Sequence, residues 1–435
     1  MRVASNPFAA PTASAWLASL RRLYPATTYA LAVSGGPDST ALLALASKAM
    51  RLKNAPHFIV LTVDHNLRAG SAAEAKSVAK LCKRLGLRQQ TLTWSGAKPT
   101  TAIQNAARDI RYGLMEAYCS QHGVEALVLA HHREDQAETL LMRMARGSGL
   151  TGLSAMSPVQ KHRSINLLRP LLHVSKENLQ ALCHKAGLEF VLDPSNSDDR
   201  HERVRLRAAQ NGLDRIGLTS EKLSLTIDKL AQVDDDLELL ASRFLSEHSV
   251  FDTFGVFRVD REAFCYLPIT LQERVVLRAI KKISRPDFPP RRDSMAGVLK
   301  VLNSRETTAR TLMGVLFHFR KSEVLIGREY SACPVADKIT FKNNAVISTI
   351  WDGRFEVSYR RSSAKAFSHI GPLGSNGLAQ FRADHKSAGL LTDNSVPARF
   401  IYTVPAFWQK DRLVFCPTLR PEEAAEREVS AVLLD

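Results

Sequence analysis

Short β-rich runs alternate with longer stretches whose apolar residues recur at helical spacing, and this alternation limits the fold more than any other feature. The runs lie at 29–33 (YALAV), 58–63 (FIVLTV), 89–94 (QQTLTW) and 126–130 (ALVLA), with a weaker one at 165–168 (INLL). Helical patterns fill 40–50, 72–85, 103–122 and 134–146, and the last three stop at Gly86, Gly123 and Gly147. Apolar strands separated by helices build a parallel sheet covered on both faces. The expectation up to about residue 195 is therefore α/β, a doubly wound parallel sheet. Ligands of such sheets bind beyond the carboxyl ends of the strands, so the residues following each strand are the candidates for function.

After the first run comes Ser34-Gly35-Gly36-Pro37-Asp38-Ser39. Two glycines let the backbone approach an anion closely, and the N-terminus of the next helix points free N–H groups at the same place. Ser34 and Ser39 add hydroxyl donors. Asp38 cannot bind phosphate directly but can hold a magnesium ion that does. The hexapeptide alone fits equally well a tight turn in which Asp38 or Ser39 caps a helix. The second run leads to VDHNLR (63–68), with Asp64 and His65. The fourth leads to AHHREDQAETLLMRMARGSGLTGL (130–153), in which Asp135, Glu138 and Thr139 share one helical face just after His131 and His132. Those carboxylates read either as dipole partners of a helix start or as part of a site; H-H-x-x-D is not a usual zinc spacing. Arg108, Arg111 and Tyr112 of ARDIRY fall on one face of their helix.

Beyond residue 212 the pattern changes to charge-rich helix, and TTARTLMGVLFHFRKSEVLIGREY then alternates as a strand or hairpin does. After residue 332 short β-like runs dominate, such as RFEVSY and RLVFCPTL. Three parts are expected: a catalytic α/β domain (1–212), a helical middle domain with a β-hairpin (213–332) and a small α+β C-terminal domain (333–435). Lys plus Arg number 59 against 43 Asp plus Glu, a net charge of +16 that favours a polyanionic partner. The basic stretches are RHERVRLR (200–207) and 281–328. Six cysteines stand singly with no C-x-x-C pair, which suggests neither zinc nor a redox pair and fits a reducing cytoplasm. No run reaches the roughly 18–20 apolar residues of a membrane span. Although the N-terminal stretch is acid-free, its Trp16, Leu17, Leu20 and Leu23 fall at helical spacing and read as the first helix of the fold, not as a targeting peptide.

SGGPDS, VDHNLR, ARDIRY, AHHREDQAET, RGSGLTGL, LLRPLL (167–172) and DPSNSDDRHERVRLR (193–207) occur in this order. The set resembles the N-type ATP pyrophosphatases of the PP-loop superfamily and, within them, the tRNA(Ile)-lysidine synthetases. The likeness is close over residues 29–207 and looser beyond. It implies cleavage of ATP between its α and β phosphates. Ser34, Gly35, Gly36, Pro37, Asp38 and Ser39 would hold the pyrophosphate portion, Asp64 and His65 would line the adenosine pocket, and Asp38 and Asp135 would be Mg2+ ligands. His132, Asp135 and Glu138 are candidates to accept the proton of the attacking amine, and Arg108, Arg111, Arg169, Arg203 and Arg207 to contact tRNA or AMP phosphate. In the family the Arg203 region reads Arg-Asn; here Val204 follows. The implied partners are isoleucine tRNA with a CAU anticodon and free L-lysine, with no membrane and no obligate protein partner. A tRNA thiolase of the same superfamily needs cysteines paired or placed for persulfide chemistry, an amidotransferase-type synthetase needs an ammonia route, and a bare RNA-binding module needs none of the acidic cluster.

Overall fold

The computed structural model describes residues 10–66, 70–96, 103–190, 202–286, 288–304, 306–334, 337–338, 347–359, 367–384, 396–424 and 429–434. Residues 1–9, 67–68 of VDHNLR and 193–201 of the basic motif lie outside the described residues. The chain divides into two compact units, Met1–Asp234 and Asp235–Asp435.

In the first unit, helix α1 (Ala13–Leu23) begins at Thr12, whose hydroxyl accepts from the Ala15 amide, and buries Trp16, Leu17 and Leu20. Strands β1 (Thr28–Ala32), β2 (His57–Asp64), β3 (Arg88–Thr93), β4 (Ala126–Val128), β5 (Val159–His162) and β6 (Ile165–Leu168) form one sheet in the order β3-β2-β1-β4-β6-β5. All pairs are parallel except β5 with β6. Five of the six strands match the expected runs to within two residues at each end. The sixth, β5, was not expected: Val-Gln-Lys-His has no apolar run, and it is a half-exposed edge.

Helices α2 (Pro37–Ala49), α3 (Ser71–Leu85), α4 (Ile103–Gln121) and α5 (Arg133–Ala145) follow β1, β2, β3 and β4. Gly86 ends α3 in the left-handed conformation at φ +71°. One core holds Leu42, Leu45, Val60, Val78 and Val128 with the α1 side chains; a second, holding Ala30, Leu61, Leu127, Met115 and Leu167, includes side chains of α4. Both faces of the central strands are thus covered, which is why their sequences carry no polar alternation. The strand order reverses between β1 and β4, and that switch point opens a crevice at their carboxyl ends. After the short helix α6 (Leu150–Leu153), helix α7 (Lys176–Lys185) buries Leu179 and Cys183 in the first core, and α8 (Glu202–Arg215) follows.

The second unit contains a five-stranded antiparallel sheet and two smaller ones. Strands β7 (Ser249–Phe251), β8 (Phe257–Asp260), β9 (Ala309–Leu312), β10 (Val315–Phe319) and β11 (Glu323–Arg328) pair in the order β7-β8-β11-β10-β9. The expected hairpin is thus the β9–β10–β11 part of a larger sheet. Its core takes Phe317, Val324 and Ile326 with Val275, Ala279 and Ile283 of the helix Ile269–Ser284. Buried Arg261 threads this unit, donating to the carbonyls of Leu302, Glu306, Arg320, Val301 and Ser304. Residues 337–433 add a four-stranded and a three-stranded sheet around Trp351, Phe355, Phe400 and Phe407. No described helix is long and apolar enough to cross a membrane.

Candidate active site

The SGGPDS loop leaves β1 and enters α2 at the switch point. Gly36 is the N-cap without a side-chain cap bond, Pro37 starts the helix, and Asp38 sits in its first turn. Neither Asp38 nor Ser39 caps the helix. Instead Ser39 Oγ accepts from the amide of Gly35 at 3.2 Å and donates to the Gly36 carbonyl at 3.0 Å, tying the loop into a tight ring. Gly35 stands at φ +90°, closed to other residues, and a Cβ there would meet Val78 Cγ2 at 3.1 Å. The α2 N-terminus and the loop amides make this an anion cradle.

A cavity of about 510 Å³ opens from the loop. Ser34, Gly36, Asp38 and Ser39 line one part, Thr62, Val63 and His65 come from the end of β2, Arg108, Arg111 and Tyr112 from α4, and His131 and Asp135 from the end of β4 and the start of α5. The volume suits a nucleotide-sized ligand. Asp64 Oδ1 accepts from the Asn66 amide at 2.9 Å and so shapes the turn beside His65. Arg111 donates from Nε to His65 Nε2 at 3.3 Å, and burial followed by the Arg111 charge lowers the His65 pKa.

The two adjacent histidines have opposite electrostatics. His132 caps α5 and is 3% exposed. Its Nδ1 faces Glu134 Oε2 at 2.9 Å, and its Nε2 lies 3.5 Å from both Asp38 Oδ2 and Asp135 Oδ2. Burial alone lowers an imidazole, but the hydrogen bonds to Asp38 and Glu134 and the charge of Asp135 prevail and raise it to about 10. His132 is thus an imidazolium among three carboxylates, a poor acceptor for another proton. Glu134 is held down to about 2: burial raises it, but His132 and the Lys176 amide outweigh that. His131, by contrast, is pushed down to about 4 by burial first, with Asp135 opposing and Arg169, Arg108 and Arg203 assisting.

Asp135, Glu138 and Thr139 do share one buried face of α5. The Asp135 carboxylate accepts from the His132 amide at 3.1 Å, and the Thr139 hydroxyl donates to the Asp135 carbonyl at 2.7 Å. Glu138 takes Arg207 of α8 in a fork, with Nε at 2.5 Å from Oε1 and Nη2 at 3.3 Å from Oε2, while Arg203 Nε lies 3.9 Å away. Arg207 Nη2 also reaches Asp135 Oδ1 at 3.9 Å. Arg203 and Arg207 therefore meet the acidic face of α5 although about seventy positions separate them in the chain. Arg169, singled out as a candidate contact to tRNA or AMP phosphate, is 4% exposed, and its guanidinium meets His131 Nδ1, the Ser157 carbonyl and Gln160 Oε1 inside the fold. His131 and Glu134, in turn, were absent from the residues singled out for chemistry. Their only signal was adjacency to His132 and Asp135, and their roles come from partners across the fold.

Asp38 Oδ1 is buried and accepts no hydrogen bond. Among the described residues no group of three His, Cys, Asp or Glu side chains is arranged as a complete metal site. Mg2+ commonly takes only one or two carboxylates and completes its shell with phosphate oxygens and water, so Asp38 with Asp135 suits it.

Comparison with known proteins gives the chain's family. A family model described as a PP-loop domain matches residues 11–211. A tRNA(Ile)-lysidine synthase of Bradyrhizobium diazoefficiens is 41% identical over 286 residues, 64% of this chain and 78% of that protein. One of Ruegeria pomeroyi is 31% identical over 396 residues, 90% of this chain and 89% of that one. One of Rhodopseudomonas palustris is 42% identical over 272 residues, 60% and 78% respectively. With an anion cradle at the switch point, an acidic face on α5 and relatives of this similarity and coverage, the chain belongs to the tRNA(Ile)-lysidine synthase family.

Proposed function

We propose that this chain ligates lysine to carbon 2 of the wobble cytidine in the CAU anticodon of isoleucine tRNA, consuming ATP. The observation that carries the reading is the convergence on one cavity of the glycine loop, Asp38 with its unsatisfied oxygen, and Asp135, which Arg207 links to Glu138 on the same face of α5. In the first step the base's carbon-2 oxygen attacks the α-phosphate and pyrophosphate leaves. In the second the lysine side-chain nitrogen attacks carbon 2, AMP leaves with the oxygen, and the nitrogen loses its proton.

The amides of the loop hold the departing pyrophosphate, Ser34 adds a hydroxyl, and Ser39 Oγ holds the ring that presents the amides. Asp64 and His65 border the adenosine. Asp38 and Asp135 would hold Mg2+, which when bound neutralises charge on the phosphates. Arg108 and Arg111, lining the cavity, face AMP phosphate or the RNA backbone. Asp135 and Glu138 present negative charge to the lysine ammonium and are better placed than protonated His132 to take its proton. The +16 charge supports a tRNA substrate, with residues 213–332 and 333–435 as further tRNA-contacting parts.

The thiolase alternative has less support, since five of the six cysteines are buried and none is paired. The test omits lysine first. Isoleucine tRNA transcript should then give one equivalent of pyrophosphate per site and an adenylated RNA, and lysine should release AMP from it. Pyrophosphate release that ignores the RNA would sink the proposal.

A further inference from the structure

Arg169 follows β6 and is almost fully buried, yet it touches the cavity through another residue. Its amide donates to the Pro158 carbonyl at 2.8 Å, Nη1 to the Ser157 carbonyl at 2.8 Å and Nη2 to Gln160 Oε1 at 2.8 Å. Nε lies 3.3 Å from His131 Nδ1 and donates to it. A guanidinium carries five N–H donors, no acceptor, and keeps its charge. The His131 nitrogen facing it must therefore be the unprotonated one, so the neutral ring carries its proton on Nε2. In most proteins the tautomer is ambiguous; here the partner decides it.

We infer that Arg169 is a positioning residue that fixes His131 as an Nδ1 acceptor with Nε2–H as its donor, for an anionic oxygen bound in the cavity. His131 lines the cavity together with Ser34, Gly36 and Asp38. No described side chain accepts from its Nε2. A neutral imidazole donor polarises a phosphate oxygen without a proton to lose at working pH, a use that requires the ring to be held in one tautomer. The frame is the unforeseen edge strand β5 with the two residues before it: Pro158 holds the Arg169 backbone, Ser157 and Gln160 lock the guanidinium, and the guanidinium locks the ring. The inference rests on the reading that the cavity takes ATP.

Long-range proton–nitrogen NMR of the full-length protein without substrates tests it, with His131→Gln assigning the signal. The wild type should show the pure Nε2–H pattern. Arg169→Gln should lose that pattern and lower lysine-transfer turnover about tenfold or more, with KM for ATP nearly unchanged. Gln160→Ala, which removes one bond of the lock, should shift the tautomer less and slow turnover less. His131→Ala with Arg169→Gln should be no slower than His131→Ala alone. Should Arg169→Gln not fold, Gln160→Ala carries the same tautomer comparison. An unchanged tautomer in the variants, or losses that multiply in the double variant, would overturn the assignment. A normal tautomer result with no lysine transfer by the wild type would fault the functional reading instead.

Discussion

Gly35→Ala separates the loop's geometry from mere glycine content. At φ +90° a residue with a Cβ costs about 1–3 kcal/mol. The new methyl would also press on Val78 Cγ2 at 3.1 Å, and Val78 is 3% exposed and cannot step aside into solvent. Overpacking of that kind adds on the order of 1 kcal/mol, for a total of about 2–4 kcal/mol. For a unit of this size the Tm should fall by about 4–16 °C. If the loop instead relaxes, the Gly35 amide leaves Ser39 Oγ and the ring that shapes the cradle opens, weakening ATP about tenfold.

Gly36→Ala is the control. Its φ is −72° and the nearest contact of an added Cβ is 3.8 Å, so stability should stay within about 0.5 kcal/mol of wild type. Thermal unfolding and ATP titration calorimetry on both variants read the two effects. Equal stability of the two variants would refute the argument that Gly35 is conformationally required.

Arg207→Ala should destabilise the protein by about 1–3 kcal/mol, because it strips the fork from the buried Glu138 carboxylate. Arg203→Ala, whose Nε is 3.9 Å away, should cost under about 1 kcal/mol; denaturant unfolding showing the reverse order would contradict the pairing. Burial pushes the Cys82 and Cys416 thiols up to about 12 and those of Cys119, Cys183 and Cys333 up to about 11, so at pH 8 too little thiolate exists there to react. A disulfide reagent should then label only exposed Cys265 quickly, and fast labelling of a Cys265→Ser protein would count against this. Binding of tRNA should weaken steeply with salt, and a flat response would remove the basic surface from the account.

Much of the first unit was legible in the sequence because its strands are buried on both faces and its helices end at glycines such as Gly86 and Gly123. The exceptions have physical reasons. Strand β5 is a polar edge with no hydrophobic pattern to announce it. The five-stranded sheet of the second unit begins with two short strands, β7 and β8, joined through a turn at Gly255, and only the longer β9–β11 part alternates visibly. Within the site, residues on one local element were readable: the loop 34–39, and Asp135 with Glu138 on one face of α5. What the sequence hid was pairing across the fold. Nothing local tells that Arg207 grips Glu138, that His132 is charged among carboxylates while His131 is neutral, or that Arg169 turns inward.

Nucleoside analysis of isoleucine tRNA transcript, incubated with the protein, ATP and labelled lysine, tests the central claim most directly. The account predicts label in a lysine-modified cytidine at the wobble position, and none when Asp38→Ala replaces the wild type although tRNA still binds. Label absent with the wild type, or undiminished with Asp38→Ala, would contradict it.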